Sequence, residues 1–338
     1  MIVSTLSDER VKAALAAVES QTVTDLEKVD MLVEIAMGLQ QKPRFVQDLH
    51  HAVSLYDRAL ALCPTHDRLL AARIQARKAT ALNATPLEEL DLVEQARQLL
   101  ESALGELQRE GSKEEVAETE MNLGLTLQTL AAKGRARISD AIAAYLRALR
   151  TFTRETHPTE YAILHNNLAT AYLSMPMAEP NAKMREALAV QSFEEALKVV
   201  TLVEQPVEYA MLQNNLGNAL QYASSSHGVE NNLRALAAYD EALKVRNPKD
   251  TPLEYANTIS NKANALRNLP DDPLKPERGN CGNLRLAKQY FEEAKYIFHR
   301  FGDMAKVQLT VEVLRDLEQE LGSPPDVALT SFTKGGLA

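Results

Sequence analysis

Tryptophan is absent from the 338 residues, and aromatic side chains make up only 5%. Sandwiches and barrels built on aromatic strands are therefore excluded. Glycine (13) and proline (14) together fill about 8% of the chain, against about 12% in average usage. So few turn-formers fit long helices joined by short connections. The two cysteines, Cys63 and Cys281, lie far apart and outside any C-x-x-C spacing. Neither a disulfide framework nor a zinc site is expected, and a reducing cytoplasm is the expected compartment. No run of about 18 apolar residues occurs, so no membrane helix is expected. The opening MIVSTLSDER has no basic n-region and no apolar h-region, so no secretory leader is expected. Basic residues are in deficit: 37 Lys and Arg against 46 Asp and Glu give a net charge of −9. That balance argues against nucleic acid or an anionic membrane as partner.

What the chain does have is repetition. Pro158-Thr-Glu-Tyr-Ala-Ile-Leu-His-Asn-Asn-Leu168, Pro206-Val-Glu-Tyr-Ala-Met-Leu-Gln-Asn-Asn-Leu216 and Pro252-Leu-Glu-Tyr-Ala-Asn-Thr-Ile-Ser-Asn-Lys262 nearly superimpose, and a weaker copy leads into Asn122-Leu123-Gly124. Their asparagines are spaced by 45, 48 and 46 residues. A second element follows each copy, with alanines flanking one large side chain: Ala141, Tyr145, Ala148; Ala189, Phe193, Ala196; Ala235, Tyr239, Ala242; Ala287, Phe291, Ala294. Ala52, Tyr56, Ala59 and Ala96, Leu100, Ala103 fit the same template upstream. Positions i, i+4 and i+7 share one face of an α-helix. Small residues around a single ring let two helices approach while the ring fills the space between them. One such pair cannot bury its apolar face alone, and stacked pairs can.

These two patterns resemble the tetratricopeptide repeat. Leu123-Gly124, Leu168-Ala169 with Tyr172, and Leu216-Gly217 match its first helix, and the six alanine triplets match its second. The resemblance covers about residues 24 to 300. The unit is longer than the family's, the usual Trp is replaced by Glu120, His165, Gln213 or Ile259, and Lys262 stands in place of a leucine. The THPTEYA and HNNLA stretches look like the kinesin-light-chain branch of that family. The expected fold is an all-α, right-handed superhelical α-solenoid of about six helix pairs with a C-terminal capping helix. The expected organisation is a capping helix over 1–22, the solenoid over 23–301, a cap over 302–322 and a disordered tail over 323–338. The extra residues are expected between the two helices of each repeat, where they are either tolerated loop growth or a second contact edge.

The candidate site is a row of amides. Asn122, Asn167, Asn215 and Asn261 each stand directly before the leucine position of a first helix, with Asn166 and Asn214 one residue earlier. Asn218 and Asn264 lie three residues further on, on the same face. First helices line the concave surface of such solenoids, and an amide offers donors and an acceptor that match a peptide group. The resemblance to the kinesin-light-chain branch implies that the row grips the backbone of a bound peptide, beside Thr170, Met211, Gln221 and His165. Arg267 adds positive charge near the C-terminal end. The other reading is that the amides hold neighbouring repeats in register. Tyr161, Tyr209 and Tyr255 are expected to pack on the second helix of the preceding repeat.

No phosphate-binding glycine loop and no nucleophile–histidine set can be assembled, so no enzyme, cofactor or metal is expected. The expected role is a non-catalytic scaffold or assembly factor that binds an extended segment or a helix of another protein. A peptide-responsive regulatory sensor is the alternative, and an enzyme or its targeting module the remote one.

Overall fold

The computed structural model describes residues 11, 12, 15, 16, 18, 23–85, 90–176, 182–223 and 228–322, with only the backbone of residue 182. Among these residues the chain is helical and contains no strand. The expected N-terminal cap lies mostly outside the described residues, and the expected tail over 323–338 lies entirely outside them. The chain forms two compact units, Met1–Met175 and Pro176–Ala338.

The first unit holds α1 (Asp25–Gln41), α2 (Val46–Leu62), α3 (Arg68–Asn83), α4 (Leu90–Glu110), α5 (Lys113–Ala132), α6 (Ile138–Ala148) and α7 (Pro158–Leu173). Each helix packs on the next. The first helices α1, α3, α5 and α7 also pack on one another in sequence, and so form a layer of their own. The second unit holds α8 (Ala182–Leu197), α9 (Pro206–Tyr222), α10 (Gly228–Leu243), α11 (Pro252–Arg267), α12 (Cys281–Arg300) and α13 (Met304–Gly322). Consecutive helices pack there too, and the first helices α9 and α11 touch. Consecutive packing of helix pairs is the architecture of an α-solenoid.

Local chemistry sets the helix starts. Thr24 and Ser112 form capping boxes with Glu27 and Glu115, and Asp67 caps α3 through the Leu70 N–H. Pro158, Pro206 and Pro252 each occupy the first helical position, where a missing N–H costs nothing. The inserted length is not confined to the connections within repeats. The stretches before these prolines are also long, over 149–157, 198–205 and 244–251. They are closed by backbone bonds from His157 N–H to Thr153, from Gln205 N–H to Thr201 and from Thr251 N–H to Asn247. The longest connection, over 268–280, is tied to the start of α12: the Asp271 carboxylate accepts the Gly282 and Asn283 N–H groups at 2.8 and 2.7 Å.

The core is the set of alanine triplets. All six are buried, with Tyr56, Tyr145, Phe193 and Tyr239 fully so. A Cβ added to Gly124 would lie 2.5 Å from the Tyr145 ring, and one added to Gly217 2.5 Å from the Tyr239 ring. The corresponding first-helix positions with alanine are Ala36, Ala79, Ala169 and Ala263, all fully buried. In an exposed helix, replacing glycine by alanine gains about 1 kcal/mol. Here the sign reverses: Gly217→Ala is expected to cost about 1–3 kcal/mol in urea unfolding, through overpacking against a ring that cannot move aside. The cost should shrink in a Tyr239→Leu background, which copies the Ala79/Leu100 pairing of the second repeat. Equal costs in both backgrounds would remove the ring–glycine contact as their cause.

Candidate functional site

The structure sorts the amide row into two groups. One group links helices. In the second unit Asn261 Nδ2 donates to Asn214 Oδ1 at 3.2 Å, from α11 to α9. Gln221 Nε2 donates to the Asn261 carbonyl at 3.1 Å and also to the Tyr239 hydroxyl. That hydroxyl in turn donates to Asn218 Oδ1 at 2.7 Å. Asn214 is buried, and its own Nδ2 reaches Asn215 Oδ1 only at 3.4 Å. In the first unit Gln128 Nε2 donates to the Thr170 hydroxyl at 3.1 Å, joining α5 to α7. Asn166 donates to Asn167 Oδ1 at 3.4 Å, and its own Oδ1 is buried without a partner among the described residues.

The other group stays half-exposed on the first-helix layer. Asn122 and Asn264 make no side-chain hydrogen bond among the described residues, and Asn167 and Asn215 receive only the long contact from the preceding amide. Met211 is 39% exposed on α9 and Ile163 44% exposed at the matching place on α7. His165 turns toward its own helix, where its ring lies 4.3 Å from that of Tyr161. Arg267 is paired with Glu320 of the terminal helix, with Nε 3.0 Å from Oε1. Two of the repeated tyrosines carry a contact beyond the expected packing: Tyr209 and Tyr255 hydrogen-bond Glu241 and Glu293, on the second helix of their own repeat, both at 3.0 Å. The Tyr255 ring also joins a cluster holding Leu243 of the preceding second helix. Burial and a carboxylate acceptor push the Tyr255 hydroxyl up to about 12.

One rule organises the linking group. The residue one helical turn beyond the small first-helix position is Gln40, Asn83, Gln128, Leu173, Gln221 or Arg267. Where the second helix carries tyrosine, this residue is glutamine and engages the phenol: Tyr56 with Gln40 at 3.0 Å, Tyr145 with Gln128 at 2.8 Å, and Tyr239 with Gln221. From the same position Asn83 reaches Thr126 at 2.7 Å, across to the next first helix. A second rule explains the lysine at the leucine position. Lys78 pairs with Asp57 at 2.5 Å, and Lys262 pairs with Asp240. Both aspartates directly follow the core tyrosine of the preceding second helix. Sequence reasoning missed this, although Asp57 and Asp240 stand beside tyrosines in the triplets already identified.

Sequence reasoning also missed a cavity of about 390 Å³ in the first unit, lined mainly by α1, α3 and α5. Arg73, Arg77, Glu115, Glu118 and Asn122 face it, with Gln40 and Tyr56. Arg73 grips Glu115 through two nitrogens, at 2.6 and 3.2 Å. This contact holds the Glu115 carboxyl below the ordinary range. Burial pushes the Tyr56 hydroxyl up to about 12, against the opposing charge of Arg77. Among the described residues no group of three or more His, Cys, Asp or Glu is placed to hold a metal ion, and no helix is long and apolar enough to cross a membrane.

The lysine–aspartate pairs give a direct test. The Lys78 side chain is only 7% exposed, so Asp57→Ala leaves a largely buried ammonium unpaired and is expected to cost about 1–3 kcal/mol. Lys78→Leu restores the leucine of other repeats and is expected to be neutral or stabilising, as for other buried ion pairs replaced by apolar groups. Denaturant midpoints of the two variants and the double variant check this. A wild-type midpoint for Asp57→Ala would show that the pair is surface decoration.

Among solved structures, the chain is similar to a Rap protein complexed with competence and sporulation factor, at 11% identity and a TM-score of 0.45, over 89% of this chain and 77% of that one. It is also similar to a circular tandem repeat protein with novel repeat topology and enhanced subunit contact surfaces, at 15% identity and a TM-score of 0.28, over 92% of this chain and 74% of that one. No protein family and no curated protein matches the sequence.

Proposed function

We propose that the chain is a non-catalytic, cytoplasmic scaffold whose first-helix layer binds an extended segment or a helix of a partner protein, each unit offering its own stretch of that layer. The observation that supports this reading is the set of amides that helix packing does not use. Asn122 and Asn264 are half-exposed and unbonded at their side chains among the described residues, and Asn167 and Asn215 carry only long contacts. An amide presents donors and an acceptor together, which is what the backbone of an extended chain requires. The resemblance to the kinesin-light-chain branch supports the same mode. Ile163 and Met211 add apolar contacts beside the row, in keeping with an interface of mixed polarity. Asn214, Asn218, Gln221, Asn261 and Arg267 belong to the linking group, and their role in binding is to keep the layer rigid.

The experiment compares two sets of variants. Asn122→Ala with Asn167→Ala, and Asn215→Ala with Asn264→Ala, are expected to leave unfolding free energy within about 0.5 kcal/mol of the parent. Both pairs should weaken binding of peptides selected from a random display library. Gln221→Ala is expected to lower stability by about 1–2 kcal/mol, because it leaves the buried Tyr239 hydroxyl short of a partner. Selected peptides that bind both double variants as well as they bind the parent would move the site off the amide row. Loss of stability in those double variants would make the whole row structural.

A further inference from the structure

Two arginines and two glutamates line the cavity of the first unit, and one of the arginines stands outside any ion pair among the described residues. Past its first turn α3 carries three basic residues and no acid. Lys78 is paired with Asp57 and Arg73 with Glu115. Arg77 is exposed, faces the cavity, and has no ion-pair partner among the described residues. It occupies the register position that Asn122, Asn167, Asn215 and Asn261 hold in later repeats. Glu115 offers little, because its carboxylate already accepts Arg73 twice and the Ser112 N–H at 2.9 Å. The Gln40 carbonyl is taken by the Tyr56 hydroxyl, so what Gln40 has left to give is chiefly its N–H groups. Asn122 adds a free amide from α5. The one remaining acid is Glu118, exposed on the α5 wall.

We propose that this cavity receives the side-chain carboxylate of an aspartate or glutamate within the bound segment, held by Arg77, with the Gln40 and Asn122 amides completing its hydrogen bonds. The inference rests on the scaffold reading above and narrows it to partners with an acidic residue at a defined place. A guanidinium pairs with a carboxylate through two parallel N–H groups, which fixes orientation as well as charge. Because Arg77 is exposed, the pair is open to screening by salt. Glu118 acts as a competitor for Arg77 and raises the threshold that a weakly acidic partner must pass. A chain-terminal carboxylate carries the same group. The side chain is the source assigned, because α1 and α5 flank α3 in the layer, so a segment lying along it has chain on both sides of Arg77.

The test is selection from random peptides displayed inside a loop of a carrier protein, so that no member has a free end. Parent, Arg77→Gln and Glu118→Gln are the targets, each checked by thermal melting. The parent is expected to enrich peptides with an acid at one fixed position, and Arg77→Gln to enrich peptides without it. For one such peptide, Arg77→Gln should weaken affinity by about tenfold and Glu118→Gln strengthen it by about threefold, both differences shrinking at high salt. Enrichment without an acid, or an acid retained by Arg77→Gln, would overturn the cavity assignment and leave the scaffold reading in place. No enrichment by the parent would remove both. A synthetic peptide with glutamine for the acid but a free C-terminal carboxylate separates the two sources, and its Arg77-dependent binding would overturn the side-chain assignment.

Discussion

The helix pairs within each unit depend on a large second-helix side chain lodged beside a residue with no room for a Cβ, or for one carbon only. Gly124 against Tyr145 and Gly217 against Tyr239 set how close the two helices come. The alanines on either side of the ring are fully buried and keep that distance along the crossing. Removing such a ring costs about 3–5 kcal/mol, more than any polar contact in the repeat supplies. The same lodging creates a problem for tyrosine, because a buried hydroxyl without a partner costs about 1–3 kcal/mol. Glutamine one turn beyond the small residue solves it, at Gln40, Gln128 and Gln221. Repeats whose second helix carries leucine or phenylalanine have Asn83, Leu173 or Arg267 there instead.

That solution divides the first-helix face by register. The position that serves the phenol also leans toward the next first helix. Gln128 therefore reaches Thr170, Gln221 reaches the Asn261 carbonyl, Asn83 reaches Thr126, and Arg267 reaches Glu320 of the terminal helix. The Asn261–Asn214 and Arg73–Glu115 pairs add further links between first helices. The row position directly before the leucine is mostly left over: Asn122 makes no side-chain hydrogen bond among the described residues, Asn167 and Asn215 receive only a 3.4 Å contact, and Asn261 is the member that links helices. Abundance of amide in a first helix is thus no measure of binding capacity, since more than half of the amides in α9 are occupied by the fold.

The helix pairs were legible because their cause is periodic. The triplets at i, i+4 and i+7 and the prolines opening α7, α9 and α11 are local signals, and each needs only its own helix to be read. The division of labour within the row was not legible, because it is set by the crossing of helices distant in sequence. Asn218 and Asn264 share a register position, yet one accepts from Tyr239 and the other is free at its side chain among the described residues. Lys262 read as a departure from the repeat, and only its contact with Asp240 shows it to be a coordinated exchange, matched by Lys78 with Asp57. His165 sat beside two row asparagines in sequence, but successive helical residues are turned about 100° apart, which carries it to Tyr161 and away from them. The cavity was out of reach, because side chains from five helices build it.

Amides and charge contribute differently to recognition. A hydrogen bond between an amide and a peptide group contributes only about 0.5–1.5 kcal/mol net, and almost nothing that depends on the partner's sequence. Micromolar binding needs about 8 kcal/mol, beyond the cost of ordering a flexible chain. A row made only of asparagines would therefore require many contacts and would discriminate poorly among extended segments. Discrimination has to come from places where the row departs from asparagine or where apolar side chains flank it. In the second unit that departure is Met211 beside Asn215, and in the first it is Ile163 beside Asn167 together with Arg77 at the row position itself. A single guanidinium among amides changes the selection rule more than another amide could, because a mismatched partner would leave it facing Glu118 instead of a ligand.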